Sequence, residues 1–422
     1  MLDLLLRGAR VPGESTNREI GILEGRIAPA EPEARQVVDL GGALVTPALV
    51  EPHIHLDAVL TVGEPRHNLT GSLFEGIAIW GERVAGGGLT VEDVKRRVRT
   101  VLRWQLANGV QFVRSHVDVC DPELRAVRAL LELREEIGDQ MTLQLVAFPQ
   151  QGILSFEGGE ELMRKAVEMG VDVVGAIPHF ELTREYGERS VKFAMALAAD
   201  KGLRVDIHCD ETDDDHSRFV EVMAAETIRL GMGGRVTASH TTAMHSYNNA
   251  YAYRLINNLK RAGMHMVTNP LDNATLQGRF DSYPIRRGHT RVKELLSAGV
   301  NVCVGHDSVM DPWYPLGYGD PMQAAFVLAH YGQMSGHDEL RTLIDMITRN
   351  PAEALGLEGY GLEVGCRADL CAFAAPTEMD AIRLVAPRKL VVRAGKVVAR
   401  TEPAHTTVIW DGREEQVDFL KP

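Results

Sequence analysis

Glycine recurs at positions 109, 138, 170, 202, 231, 263 and 299, each time after a stretch of helical periodicity and before a short β-branched run. The six intervals span 190 residues, so each is close to one βα unit. A helix commonly ends in a left-handed residue, which glycine adopts at little steric cost, so the rhythm punctuates alternating helices and strands. In Thr90 to Ala107, Thr90 is placed to cap the start, and Val91, Val94, Val98, Val101, Leu102 and Leu106 form an apolar stripe.

The strands predicted after these glycines are Phe112–Asp118, Leu143–Gln150, Asp172–Phe180, Arg204–Glu211, Arg235–Thr242, Met266–Pro270 and Asn301–Ser308; the run Val50–Asp57 makes eight. Eight strands alternating with helices predict an α/β fold, a (β/α)8 TIM-type barrel over residues 48–357, with its active site at the carboxyl ends of the strands. Residues 1–47 and 358–422 are rich in short alternating stretches and turn glycines, and predict one small β-sandwich built from both termini.

The polar residues fall where a barrel would use them. Most predicted strands begin apolar and finish in His53 and His55, Gln150, His179, His208 with Glu211, His240, or His306 with Asp307. His53 and His55 alternate along one strand, so both imidazoles can face one ion. With His208 and Asp307 they form a three-His, one-carboxylate set suited to a single Zn²⁺ or Fe²⁺, leaving a position for water. Glu211 lies just past its strand end, where it can shuttle protons. His240 can hydrogen-bond an attacking hydroxide or the tetrahedral oxyanion, and Asp307 can pass a proton to a leaving amine. Taken singly, Glu211 reads as a solvated carboxylate in the acidic run 210–215 and His240 as a core or capping histidine; their shared register at strand ends favours the catalytic reading. His116, His179 and His306 are expected to be structural or supporting, with His179 the one that could face the site. His245, His265, His289, His330 and His337 are expected on the surface or on helices.

A formal charge of −13 and the lack of a long Lys/Arg cluster argue against a nucleic-acid backbone or an anionic membrane as partner. No apolar run of about 18 residues occurs, and the start Met-Leu-Asp-Leu-Leu-Leu-Arg-Gly does not read as a signal peptide. Five cysteines without paired spacing suggest a reducing compartment, and the expectation is a cytoplasmic enzyme.

With these residues placed, the chain resembles bacterial cytosine deaminases of the amidohydrolase superfamily along nearly its whole length. The motifs are Val-Glu-Pro-His-Ile-His-Leu-Asp (50–57), Gly-Ser-Leu-Phe-Glu-Gly-Ile (71–77), Val-Ala-Phe-Pro-Gln (146–150), Gly-Ala-Ile-Pro-His-Phe (175–180), His-Cys-Asp-Glu (208–211), Thr-Ala-Ser-His-Thr-Thr (237–242), Leu-Gln-Gly-Arg-Phe-Asp (276–281) and Asp-Pro-Trp-Tyr-Pro-Leu-Gly (311–317). The resemblance implies one metal on His53, His55, His208 and Asp307, proton transfer by Glu211, and His240 supporting the hydroxide. It also implies that Gln150 bonds the amide edge of a pyrimidine, with Phe148, Leu73 and Trp313 packed around the ring. The implied reaction is hydroxide attack at C4, protonation of N3 and loss of ammonia, in a homo-oligomer such as a hexamer. No lysine ends strand four, so a bridged two-metal site is not expected, and no Cys-x-x-Cys zinc motif of the other cytidine-deaminase design occurs.

One departure matters. Cytosine-specific members carry two acids after the strand-eight histidine, whereas this chain reads His306-Asp307-Ser308. Two readings of Ser308 stand open: a roomier, less polar pocket near C5 that accepts 5-methylcytosine, one buried methyl being worth about 1–3 kcal/mol, or neutral drift. Arg66-His67, where the family often has an aromatic, also bears on specificity. The rival substrates are other cyclic amidines such as isoguanine or creatinine. A rival of different class, an inactive metal-binding regulatory relative, would require the loss of a ligand or of Glu211, and none is lost.

Overall fold

The computed structural model describes residues 1–420. Strands β1 (Leu2–Ala9), β2 (Arg18–Leu23), β3 (Arg26–Ala28), β4 (Ala34–Asp39) and β5 (Val45–Pro47) precede the barrel strands. These are β6 (Leu49–Ile54), β7 (Val110–Asp118), β8 (Thr142–Phe148), β9 (Val173–Val174), β10 (Arg204–Cys209), β11 (Val236–His240), β12 (His265–Thr268) and β13 (Asn301–Val304). After them come β14 (Leu370–Phe373), β15 (Arg388–Arg393) and β16 (Lys396–Arg400). Strands β6 to β13 pair in sequence order, all parallel, with helices between them. The fold is a TIM-type barrel.

The rhythm of glycines has the expected cause. Gly170, Gly202, Gly231, Gly263 and Gly299 each end a helix in the left-handed region. Thr90 caps the helix Val91–Ala107 by accepting from the Asp93 N–H, and the predicted stripe is buried at Val94, Val98, Val101 and Leu102. Strand β9 departs from expectation, because after two residues the chain leaves the ladder through Gly175 and Pro178 opens a short 3₁₀ turn, Pro178–Phe180.

The barrel closes at the carboxyl ends of its first and last strands. The His55 N–H donates to the Asp307 carbonyl at 3.0 Å and the Asp307 N–H to the His53 carbonyl at 2.9 Å, a parallel bridge between Ile54 and Asp307. The buried Glu51 carboxyl staples the same seam by accepting from the backbone N–H of His53 at 3.0 Å and of His306 at 3.1 Å. Burial pushes its pKa up to about 8.

The termini form two four-stranded sheets, in the orders β3-β2-β1-β4 and β16-β15-β14-β5. Leu4, Leu6, Ile20 and Ile22 of one face Leu370, Ala372, Leu390 and Val392 of the other in a separate core. The last strands, β17 (Thr406–Trp410) and β18 (Arg413–Val417), were expected within this sandwich but pair only with each other as an exposed ribbon. Among the described residues no helix is long and apolar enough to cross a membrane.

Candidate active site

Four side-chain atoms converge at the seam. His208 Nε2 lies 3.2 Å from His53 Nε2 and 2.9 Å from His55 Nε2, and Asp307 Oδ1 lies 3.4 Å from His53 Nε2 and 3.5 Å from His55 Nε2. A tetrahedral ion with bonds of about 2.1 Å has ligand–ligand edges of about 3.4 Å, so the spacing fits one small divalent cation. One His208 nitrogen cannot hydrogen-bond two imidazole nitrogens with a single proton, so these lone pairs are placed as metal ligands would be, and His53, His208, His240 and Asp307 together have the spacing of a group that could hold an ion. Burial holds His53 and His208 well below the ordinary histidine range and His55 at about 4, which keeps all three in the neutral form that ligates.

Beside this cluster lie Glu211 and His240, both buried, with His240 Nδ1 3.3 Å from Glu211 Oε1 and 3.8 Å from Asp307 Oδ2. Burial, then the charge of Asp307, raises the Glu211 carboxyl well above the usual carboxylate range. The amide of Asn273 holds the His240 ring at 3.1 Å. The backbone here is strained, since His240 has φ +68° and Asp307 φ +72°, conformations rare for residues with a Cβ. Non-glycine residues are held there only when the surroundings impose it, and both residues face the cleft.

The cleft is narrow, about 20 Å³, and is lined by His55, Leu73, Gln150, His208, Glu211, His240, Asp272, Leu276, Asp307, Ser308 and Trp313. Leu73 opens the helix Leu73–Ala85, which Ser72 caps, and Gln150 follows β8, its backbone N–H donating to Asp118 at 3.3 Å. Trp313 is buried over His55, ring centroids 6.1 Å apart. Phe148, expected against the substrate ring, is instead stacked on His208 at 4.0 Å behind the ligand cluster and does not line the cleft. It ends β8 fully buried, so its ring backs the imidazole.

Asp272 escaped the sequence reading, and Leu276 and Asp311 entered it only as the first residues of two motifs, with no role of their own. Asp272 and Leu276 lie on the short helix Pro270–Leu276 after β12, and the Ser308 hydroxyl faces the carboxyls of both Asp272 and Asp311. The carboxyl of Asp272 stands beside Ser308, buried, with one oxygen unpartnered, so this side of the cleft carries a carboxyl as well as the hydroxyl. An Asp in the Pro-Leu-Asp-Asn run was the available signal, but nothing in the sequence tied it to Ser308.

Of the remaining histidines, His116 and His306 are buried and His179 is partly buried, with both ring nitrogens of His116 and His179 unpartnered. His265, expected on the surface or on a helix, is buried at the start of β12, where Asn301 donates to its Nδ1 at 2.9 Å. Arg66 ties its loop to the helix Leu73–Ala85 through Glu75 at 2.6 Å and Glu82 at 2.9 Å.

Comparison with known proteins identifies the family. The amidohydrolase family matches residues 36–399. The crystal structure of 5-methylcytosine deaminase from Klebsiella pneumoniae liganded with 5-fluorocytosine is 45% identical and superposes with a TM-score of 0.92 over 95% of this chain and 98% of that one. N-isopropylammelide isopropyl amidohydrolase of Pseudomonas sp. (strain ADP) is 30% identical over 95% of this chain and 98% of its own length. Pterin deaminase of Rhizobium rhizogenes (strain K84 / ATCC BAA-868) is 30% identical over 90% of this chain and 86% of its own. By the extent of the family match and of these alignments, the chain belongs to the amidohydrolase family and is a hydrolase acting on C–N bonds.

Proposed function

We propose that the protein deaminates a free aminopyrimidine, cytosine or 5-methylcytosine, to the corresponding uracil or thymine and ammonia. The observation that carries this reading is the convergence of His53, His55, His208 and Asp307 beside the buried Glu211, in a cleft lined by Leu73, Trp313 and Gln150. The neighbouring 5-methylcytosine deaminase, with a fluorinated cytosine bound, supports the ring class.

The four ligands would hold one divalent cation, Zn²⁺ or Fe²⁺, whose contribution is to bring the ionisation of water toward neutral pH. Gln150 has the amide donor and acceptor to match the N–H and carbonyl edge of the pyrimidine, and Leu73 and Trp313 hold the ring flat and exclude water. Glu211 takes a proton from the water nucleophile and delivers it to N3, which makes C4 more electrophilic. His240 hydrogen-bonds the oxygen that becomes the C4 carbonyl, and Asp307 relays the second proton to the departing amine. Ser308 and Asp272 border the cleft together, and we assign them to the C5 side of the ring, where they select for or against a methyl group.

The test is ammonia release by the zinc-loaded protein from cytosine, 5-methylcytosine, isoguanine, creatinine, pterin and N-isopropylammelide. The reading expects the two cytosines to show the highest kcat/KM. Turnover confined to pterin, isoguanine, creatinine or the triazine would refute it.

A further inference from the structure

Behind the ligand cluster runs a buried chain of polar side chains that the deamination steps do not use. Arg114 Nη1 donates to Asp206 Oδ2 at 2.9 Å, the Ser239 hydroxyl donates to Asp206 Oδ1 at 2.7 Å, and Ser239 Oγ lies 2.9 Å from His53 Nδ1. All four residues are fully buried, on β7, β10, β11 and β6. His53, His116 and Asp206 by themselves have a spacing that could suit a second metal ion. Asp206 is already matched by the Arg114 guanidinium, however, and His116 Nε2 stays 3.8 Å from its Oδ1, so the cluster reads as a support.

The direction of each hydrogen bond follows from its neighbour. A guanidinium keeps its charge in a protein, so Asp206 is its carboxylate counter-ion and can only accept. Ser239 has one proton and spends it on Asp206. Its oxygen must then accept from His53, which places the imidazole proton on Nδ1 and leaves the Nε2 lone pair facing His208, His55 and Asp307. We propose that Asp206 and Ser239 are positioning residues that fix the tautomer and ring orientation of His53, and thereby the affinity of the site for its cation. The proposal rests on the four-ligand reading of the site. Partners of this kind typically change metal affinity by about 10–100-fold.

Two substitutions separate the polarity of the relay from mere packing. Ser239→Ala cuts it, leaves His53 free to take either tautomer and should weaken Zn²⁺ binding about 10-fold. Asp206→Asn reverses it: the amide oxygen stays on Arg114, the NH₂ donates to Ser239, and the serine proton turns onto His53 Nδ1, driving the imidazole proton onto the ligating Nε2. Asp206→Asn should therefore weaken binding more than Ser239→Ala does. In the double variant the reversed polarity no longer reaches His53, and affinity should return to that of Ser239→Ala.

The readout is the Zn²⁺ Kd from competition with a chromophoric chelator, measured on protein stripped of metal and shown folded by circular dichroism. Should either variant fail to fold, ¹⁵N imidazole spectra of the metal-free wild type still decide, because His53 must carry its proton on Nδ1. Wild-type Kd in both folded variants, equal losses from Asp206→Asn with and without Ser239, or an Nε2-protonated His53 would overturn the relay alone. A wild-type chain that takes up no zinc would overturn the metal site itself.

Discussion

Gly76→Ala tests how closely Trp313 borders the reacting ring. Gly76 is buried in the helix Leu73–Ala85, and a Cβ there would lie 2.4 Å from Trp313 Cδ1 and 2.6 Å from its Nε1. Comfortable carbon–carbon contact begins near 3.5 Å, so the indole must retreat by roughly 1 Å. It has little room, being 7% exposed and packed against Trp80, ring centroids 6.4 Å apart, as well as His55. Overpacking costs about 1–3 kcal/mol, and the better helix propensity of alanine offsets about 1 kcal/mol of it, leaving a net loss of about 0–2 kcal/mol. Activity should suffer far more, because displacing a positioning group by about 1 Å can cost about 100-fold. The expected outcome is a kcat/KM on 5-methylcytosine lowered 30- to 100-fold, by order of magnitude, with zinc content unchanged and only a few degrees lost in Tm. A variant with wild-type kcat/KM and wild-type Tm would show that Trp313 neither fills the space assigned to it nor touches the substrate.

Glu211→Gln should keep one equivalent of zinc and lose ammonia release by more than about 100-fold, since the amide cannot carry the proton; near-normal turnover would exclude the shuttle. Ser308→Asp places a third carboxylate beside Asp272 and Asp311, both already raised by burial, and should cost about 3–5 kcal/mol in urea unfolding. Adding Asp272→Asn should restore much of that loss, and a stable Ser308→Asp single variant would contradict the facing of these groups. His265 is held at about 4 by burial, against an ordinary value near 6.5. The unfolded chain therefore binds a proton that the folded chain refuses as pH falls from about 6.5 to 4. Its contribution to stability is complete above pH 6.5 and is lost over that window, to about 3 kcal/mol. His265→Asn should unfold more easily than wild type at pH 7 and close the gap by pH 4.5; a gap independent of pH would disprove the assignment.

The features that repeat were legible in the sequence. Helix-ending glycines at 170, 202, 231, 263 and 299 answer to local backbone sterics, so their spacing announced the βα units directly. His53, His55, His208, Glu211, His240 and Asp307 stood out because each is a polar residue ending an apolar run, a pattern a strand's buried face does not otherwise tolerate. Features that depend on which elements meet did not stand out. The seam between Ile54 and Asp307, the Glu51 staple and the pairing of Asp272 with Ser308 join residues far apart in the chain. Phe148, which the resemblance packed around the substrate ring, stacks on His208 instead, because a motif gives a residue's place on a strand but not the depth of its side chain within the barrel. His265 was read as a surface or helix histidine because its environment, the Gly234 carbonyl and the Asn301 amide, comes from neighbouring units. The terminal ribbon 406–417 carries the β-branched and aromatic run Thr406–Trp410 of a strand, yet its two strands pair only with each other.

The most direct test is a metal titration of activity. Protein stripped by a chelator and given Zn²⁺ in steps should release ammonia from cytosine or 5-methylcytosine in proportion to the metal added, and level off at one equivalent per chain. Turnover that survives complete removal of metal, or a fully loaded protein that releases no ammonia from either base, would contradict the account.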